Sequence, residues 1–290
     1  MTAVVAFLVG FVTVRFLLMV SGDILASPAL ARTNYRNVTL ATAGGLFIIL
    51  TVLVIDAGRS VLGAIGVGSE SGLTQARLAV LFAVFGFGFL GMVDDLAAHG
   101  DDRGFKGHLG ALRDGRVTTG LLKLLGGAAV AIVIVASPGF KSGRTLVVDA
   151  ALIALAANLG NLLDRAPGRT IKFGLVAYVP IAIAIGTAPI GIAVAPVMGA
   201  SLGLLPEDLR ERLMLGDTGA NVIGAILGLA IVLGSRDSIR LAVMLVLLVV
   251  NVAAELVSFS RVIDAVAPLR WFDRWGSRRT DRGQGTTDVA

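Results

Sequence analysis

The sequence predicts an all-α, polytopic integral membrane protein of about nine transmembrane helices. Three observations lead there. Of the 290 residues, 56% are hydrophobic and only 16% are charged. A soluble domain of this length needs more polar side chains to cover its surface. The mean hydropathy is +0.86, and the apolar residues fall in runs close to the ~20 residues that cross a bilayer. Lysine and arginine concentrate in alternate connecting segments, as they do in membrane proteins of fixed orientation. There is no cysteine, so disulfides and thiolate chemistry are excluded and the compartment cannot be read from redox chemistry.

The first run, 2–20, lacks a basic leader and a small-residue cleavage site and reads as a spanning helix, not a removable signal. The second, 41–55, is short and opens on "ATAGGLFI", where Gly44 and Gly45 suit close packing or the approach of a ligand. The third, 76–93, stops at the pair Asp94 and Asp95. The fourth, 118–137, carries Lys123 just inside its start, where it can snorkel or reach a phosphate. The fifth, 145–163, ends in a polar stripe of Asn158, Asn161 and Asp164, followed by Arg165, Arg169 and Lys172. The sixth and seventh, 172–186 and 188–205, are separated only by "GTAPI". The eighth, 218–234, follows Gly216-Asp217-Thr218-Gly219, and the ninth, 239–259, leads into an arginine-rich segment holding Trp271 and Trp275. Residues 1–270 thus read as one transmembrane domain and 271–290 as a basic tail, disordered towards its end. Glycine and alanine throughout the runs suit helices packed closely in lipid.

One set of connecting segments holds Arg32 and Arg36; Arg103, Lys106, Arg113 and Arg116; Arg165, Arg169 and Lys172; Arg210 and Arg212; and Arg261 through Arg282. The other set holds only Arg59, Arg77, Lys141, Arg144, Arg236 and Arg240. The first set is expected to be cytoplasmic, with the N-terminus outside and the C-terminus inside. Nucleic-acid binding is a poor reading, because the basic residues lie in short connections between spans; contact with a membrane surface explains them better. The same partition places Asp94, Asp95, Asn161, Asp164 and Asp217 on one face. Carboxylates near membrane depth are costly and usually face a polar cavity or a cation.

Each motif has two readings. Asp94 and Asp95 are either a helix end meeting water or a pair that binds metal and handles a proton. Acid at a helix C-terminus opposes the macrodipole, which slightly favours a role. The asparagine stripe is either glue between helices or a ligand-binding edge, with the basic residues after it able to hold a phosphate. Asp217 is either the N-cap of its helix or a metal ligand beside a phosphate at the helix N-terminus. His99 and His108 have no metal-ligand spacing, and Asp101 and Asp102 read as solvated loop charge.

Taken together, "ATAGGLFI", "GMVDDL", "KLLGG", "NLGNLLD", "MLGDTGANVIG" and the closing "ELVSFSRVIDAVAPLRWFDRWG" resemble, in order, the motifs of the polyprenyl-phosphate N-acetylhexosamine-1-phosphate transferases. This family includes the phospho-N-acetylmuramoyl-pentapeptide transferase and the GlcNAc-1-phosphate transferases. The resemblance implies transfer of a sugar-1-phosphate from a UDP-sugar to a polyprenyl phosphate, with release of UMP, in cell-envelope glycan synthesis. It implies Mg²⁺, which Mn²⁺ can replace, with Asp217 and Asp95 as metal ligands and Asp94, Asp95 and Asp217 as the catalytic set. Substrate-binding roles fall to Lys123, Asn158, Asn161, Asp164, Arg165, Arg169, Lys172, Gly44 and Gly45. The partners implied are a polyprenyl phosphate of undecaprenyl or decaprenyl type, a UDP-activated sugar, membrane lipid and a second copy of the chain. The site would lie at the cytoplasmic face of the cell membrane. The sequence departs from the family where Asp164-Arg165-Ala166-Pro167-Gly168 replaces Asp-Gly-x-Asp-Gly, and it lacks the histidine-rich loop. A homologue that binds lipid phosphate or nucleotide without turnover is the alternative these departures raise. A transporter would account for intramembrane carboxylates but not for their gathering at one face.

Overall fold

The computed structural model describes residues 2–34, 36–67, 72–97, 118–136 and 142–277. Twelve α-helices carry the fold among these residues: α1 (Ala3–Val20), α2 (Gly22–Leu25), α3 (Gly44–Ala64), α4 (Gln75–Ala97), α5 (Thr119–Ala136), α6 (Gly143–Leu163), α7 (Arg169–Ile185), α8 (Pro189–Leu209), α9 (Gly216–Gly234), α10 (Asp237–Leu256), α11 (Phe259–Ala265) and α12 (Ala267–Arg274). Eight of them are long and apolar enough to cross a membrane. The predicted sixth span forms α7, which at 17 residues is the short member of the set. Asp101, Asp102, His99, His108 and the basic residues of 98–117, like the tail 278–290, lie outside the described residues.

Burial separates centre from rim. Most of α8 and α9 is enclosed by protein (72% and 78%), whereas only 6% of α10 is. The face that α10 leaves open carries Leu245, Val246, Leu248, Val249 and Val252, a surface matched to lipid tails and not to water. Lipid is as apolar as leucine, so helices associate through close approach, which small residues permit. A Cβ at Gly10 of α1 would fall 2.2 Å from the Pro196 carbonyl oxygen, and one at Gly199 of α8 would fall 1.9 Å from that of Phe7. A Cβ at Gly160 of α6 would meet the Ala220 carbonyl at 2.3 Å, and one at Gly224 of α9 the Ala156 carbonyl at 2.1 Å. These seams lock α1 to α8 and α6 to α9.

The helical fold carries one small addition. At the end of the bundle where α4 and α6 finish and α3 and α9 begin lies a small three-stranded sheet. It comprises β1 (Ala31–Thr33), β2 (Thr39–Thr42) and β3 (Leu213–Met214), in the order β1-β2-β3. The first pair is antiparallel, with Arg32 opposite Leu40. The second is parallel, with Ala41 beside Leu213 and Thr42 beside Met214. Ala41 and Thr42 are therefore strand, and the second helix starts at Gly44 instead of 41. Ala41 and Thr42 read as the start of the apolar run because they adjoin the helix, yet they pair with β3, far along the chain, which hydropathy does not register. The sheet sets the N-termini of α3 and α9 side by side: the Gly45 amide donates to the Leu215 carbonyl at 2.9 Å.

Candidate functional site

Three helix ends meet there. The Lys123 ammonium, at the start of α5, donates to Asp94 Oδ2 on α4 at 3.2 Å and to Asp217 Oδ2 on α9 at 2.5 Å. All three side chains are largely enclosed, with exposures of 13% for Lys123, 18% for Asp94 and 29% for Asp217. Two carboxylates from different helices therefore share one cation.

Asp95 points elsewhere, as a consecutive residue on a helix must. Its Oδ1 accepts the Asp217 amide at 2.8 Å, and its Oδ2 accepts the Thr218 amide at 3.0 Å and the Thr218 hydroxyl at 2.7 Å. Leu215, the residue before α9, makes no side-chain cap. Asp95 supplies the cap from a neighbouring helix, so Asp217, in the first turn, is not the N-cap and its carboxylate faces Lys123. This also accounts for acid at the C-terminus of α4. The charge sits on the positive end of α9, where it is favourable. The α4 terminus receives its own cation, since Arg32 donates from Nε to the Asp95 carbonyl at 2.8 Å and from a terminal nitrogen to the Leu96 carbonyl at 3.1 Å.

Glycines bring these ends within reach. Gly216 has φ +73°, a left-handed conformation that favours glycine, and a Cβ there would sit 2.8 Å from Asp95 Oδ2. A Cβ at Gly91 would lie 2.4 Å from the Asp217 carbonyl oxygen. Gly44 and Gly45 have the same packing role: their Cβ atoms would lie 2.8 Å from Leu215 Cα and 2.1 Å from the Gly219 nitrogen.

The end of α6 closes another side. Asp164 follows its last turn and accepts from Thr170 Oγ1 at 3.4 Å. Burial, then the negative charges of Asp208, Asp217 and Asp95, push its carboxyl well above the usual carboxylate range. Asp208, on α8, is buried and joins two segments: its Oδ2 accepts the Gly168 amide at 2.8 Å and its Oδ1 the Leu215 amide at 3.3 Å. It ties the segment carrying Asp164 to the one carrying Asp217. Sequence reasoning missed Asp208, Arg32 and Thr218. The rule that picked out Asp94, acid at the end of an apolar run, also finds Asp208 after Pro206-Glu207. The capping role of Arg32 left no sequence signal.

Other predicted residues are placed apart from this cluster. Asn158 donates to Asn251 Oδ1 at 2.7 Å, and Asn251 donates to the Leu155 and Leu247 carbonyls, which makes the pair glue between α6 and α10. Steps of three residues drift about 60° around a helix each time, so Asn158 and Asp164 do not share a face. Arg169 is fully buried and bidentate with Asp273 of α12 at 2.7 and 2.9 Å, with Ser260 as a further partner at 2.9 Å. Lys172 donates to the carbonyls of Phe272, Asp273 and Trp275. Both hold the C-terminal helices against α7. Arg165 is exposed beside Asp164.

Three buried polar atoms without a partner border the site or enter it: Thr42 Oγ1, Asn161 Oδ1 and Asn221 Nδ2, the last one turn beyond Asp217. Buried polar atoms are rarely left unpaired, and their clustering here points to a site that takes a polar ligand. Among the described residues, no three or more His, Cys, Asp or Glu side chains converge as a metal cluster. Two carboxylates already directed at one cation do fit Mg²⁺, which is commonly held by one or two carboxylates with phosphates and waters completing the shell. Asp94 and Asp217 are that pair, while both Asp95 oxygens are taken by the N-terminus of α9. No family model matches the chain, and no curated protein sequence matches it.

Proposed function

We propose that the protein transfers a sugar-1-phosphate from a UDP-sugar to a polyprenyl phosphate. The observation that carries this reading is the convergence of Asp94 and Asp217 on Lys123 at the capped N-terminus of α9. A site that joins a lipid phosphate to a diphosphate must gather cations and amide dipoles around anionic oxygens. This end of the bundle brings those groups together where the apolar helices α4 and α6 end and α9 begins, and the ordered sequence motifs support the same chemistry.

In the reaction, an oxygen of the polyprenyl phosphate bonds to the β-phosphorus of the UDP-sugar. The bond from that phosphorus to the bridging oxygen breaks, and UMP leaves with the electron pair. Asp94 and Asp217 would hold Mg²⁺, which neutralises diphosphate charge when bound. Lys123, which now bridges the two carboxylates, would supply a cation to phosphate oxygens. Asp95 positions Asp217 by fixing the first turn of α9, and Asp208 fixes the segment that follows Asp164. The orphan amides of Asn161 and Asn221 give the donor polar contacts. The proposed membrane is the plasma membrane, with nine spans including α7, the N-terminus outside and the site cytoplasmic. The orientation follows from the charge bias of the connecting segments; the span count follows from the apolar runs, and the membrane from the resemblance.

Purified protein with Mg²⁺, undecaprenyl phosphate and a panel of UDP-sugars should release UMP with at least one donor. Asp94→Asn and Asp217→Asn should each abolish release while the protein stays folded. No release with any donor, together with retained lipid-phosphate binding, would favour a binding protein without turnover.

A further inference from the structure

Where α1 packs on α8, it carries one charge, Arg15, in the last third of an otherwise apolar helix. Arg15 donates to Glu207 Oε1 at 2.9 Å and to the Gly203 carbonyl at 3.3 Å. Glu207 also accepts from Arg212 at 3.1 Å. Neither arginine is enclosed, with side chains 41% and 59% exposed. The three charges edge a groove of about 680 Å³ walled by Phe11, Val12, Phe16, Met19 and Leu25. A second groove, of about 340 Å³, lies on the other side of Phe11, walled by Leu202, Leu205 and Leu209 and edged by Arg210. Three arginines against one glutamate leave this edge net positive; Glu211 beside them is committed to Arg36 and Asn34.

We propose that one anionic diacyl phospholipid occupies this face, with a chain in each groove astride Phe11 and its phosphate on Arg15 and Arg212. Charge complementarity selects the headgroup: an arginine inside a span is costly unless paired, and Glu207 alone cannot neutralise two. The paired grooves select the tails, because a single-chain polyprenyl phosphate would fill only one. Arg15 sits five residues before the end of α1, at headgroup depth, where cations attract anionic lipid. This site is separate from the carboxylate cluster and stands whether or not the protein is a transferase.

The test titrates the full-length protein, in uncharged detergent, with phosphatidylglycerol, phosphatidylcholine of the same chains, single-chain lysophosphatidylglycerol and undecaprenyl phosphate. Bound lipid is counted by native mass spectrometry. Phosphatidylglycerol should bind tightest. Arg212→Gln, on an exposed side chain, should weaken it about tenfold, the loss of one charged hydrogen bond. Glu207→Gln should tighten it, and Leu205→Trp, which fills the smaller groove, should weaken it without touching a charge. Equal binding of the neutral and anionic diacyl lipids would overturn the proposal. So would lysophosphatidylglycerol or undecaprenyl phosphate matching the diacyl lipid, affinity unchanged in Arg212→Gln, or a second protein copy that covers the face and excludes lipid.

Discussion

Replacing Lys123 with methionine keeps an unbranched stem, one atom shorter, and removes the charge that Asp94 and Asp217 share. Their Oδ2 atoms lie 3.2 and 2.5 Å from one nitrogen, so they are no further apart than those two distances laid end to end. At that separation, with an effective dielectric of about 20, the carboxylates repel by about 3 kcal/mol. Each also loses its attraction to the ammonium, and breaking an enclosed ion pair from one side costs about 3–5 kcal/mol. Water reaching the partly open Asp217 returns some of this, which leaves a net loss of about 2–4 kcal/mol. In detergent without divalent cations, Lys123→Met should lower the apparent Tm by roughly 5–15 °C. Mg²⁺ should then return much of that loss, because two carboxylates that have lost their cation bind another more tightly. The wild-type protein, whose lysine competes for the same oxygens, should respond less to the same Mg²⁺ titration. An unchanged Tm, or a variant indifferent to Mg²⁺, would refute the idea that these carboxylates form one cation-binding pair.

Gly91→Ala should push α4 off the first turn of α9 and cost at least about 1–3 kcal/mol of overpacking, lowering both Tm and any turnover. Gly58→Ala, where an added Cβ meets nothing within 4 Å, should be neutral or slightly stabilising in the same assay. Asp273→Ala leaves Arg169 as a fully buried, unpaired cation and should cost about 3–5 kcal/mol, read as a fall in Tm and faster proteolysis after residue 256. For Asp164, the folded-state pKa is raised above its unfolded value, so the folded state favours the protonated form. Its contribution is then fully present below about pH 4 and is lost as pH rises through the folded value. Asp164→Asn should therefore raise Tm at neutral pH in the presence of chelator and converge with wild type as pH falls.

The helical fold was legible because apolar runs of span length have few alternatives, and most run ends agree with helix ends to within a few residues. What hydropathy could not register was the sheet, whose β2 and β3 strands are four and two residues long and join distant parts of the chain. Within the site, the sequence identified Asp94, Lys123 and Asp217 because charge at the mouth of an apolar run is unusual. It could not divide the work between adjacent Asp94 and Asp95. That division depends on which neighbouring helix each residue faces, and only packing decides it. The basic run after α6 misled for a related reason. Arg169 and Lys172 look like phosphate ligands in one dimension, but their main partners are a carboxylate and carbonyls about a hundred residues further on, in and just after α12. Asp208 remained hidden among the charges of "PEDLRER", although it stands at a span end as Asp94 does.

The most direct measurement follows phosphorus through the proposed transfer. With the donor labelled separately in its α- and β-phosphates, and with undecaprenyl phosphate and Mg²⁺ present, the β-label should pass into the organic phase. The α-label should remain in the aqueous phase as UMP, and Asp94→Asn and Asp217→Asn should leave both labels aqueous. If the wild-type protein keeps both labels in the aqueous phase with every UDP-sugar supplied, or moves the sugar to lipid without its phosphate, sugar-1-phosphate transfer at this carboxylate pair is contradicted.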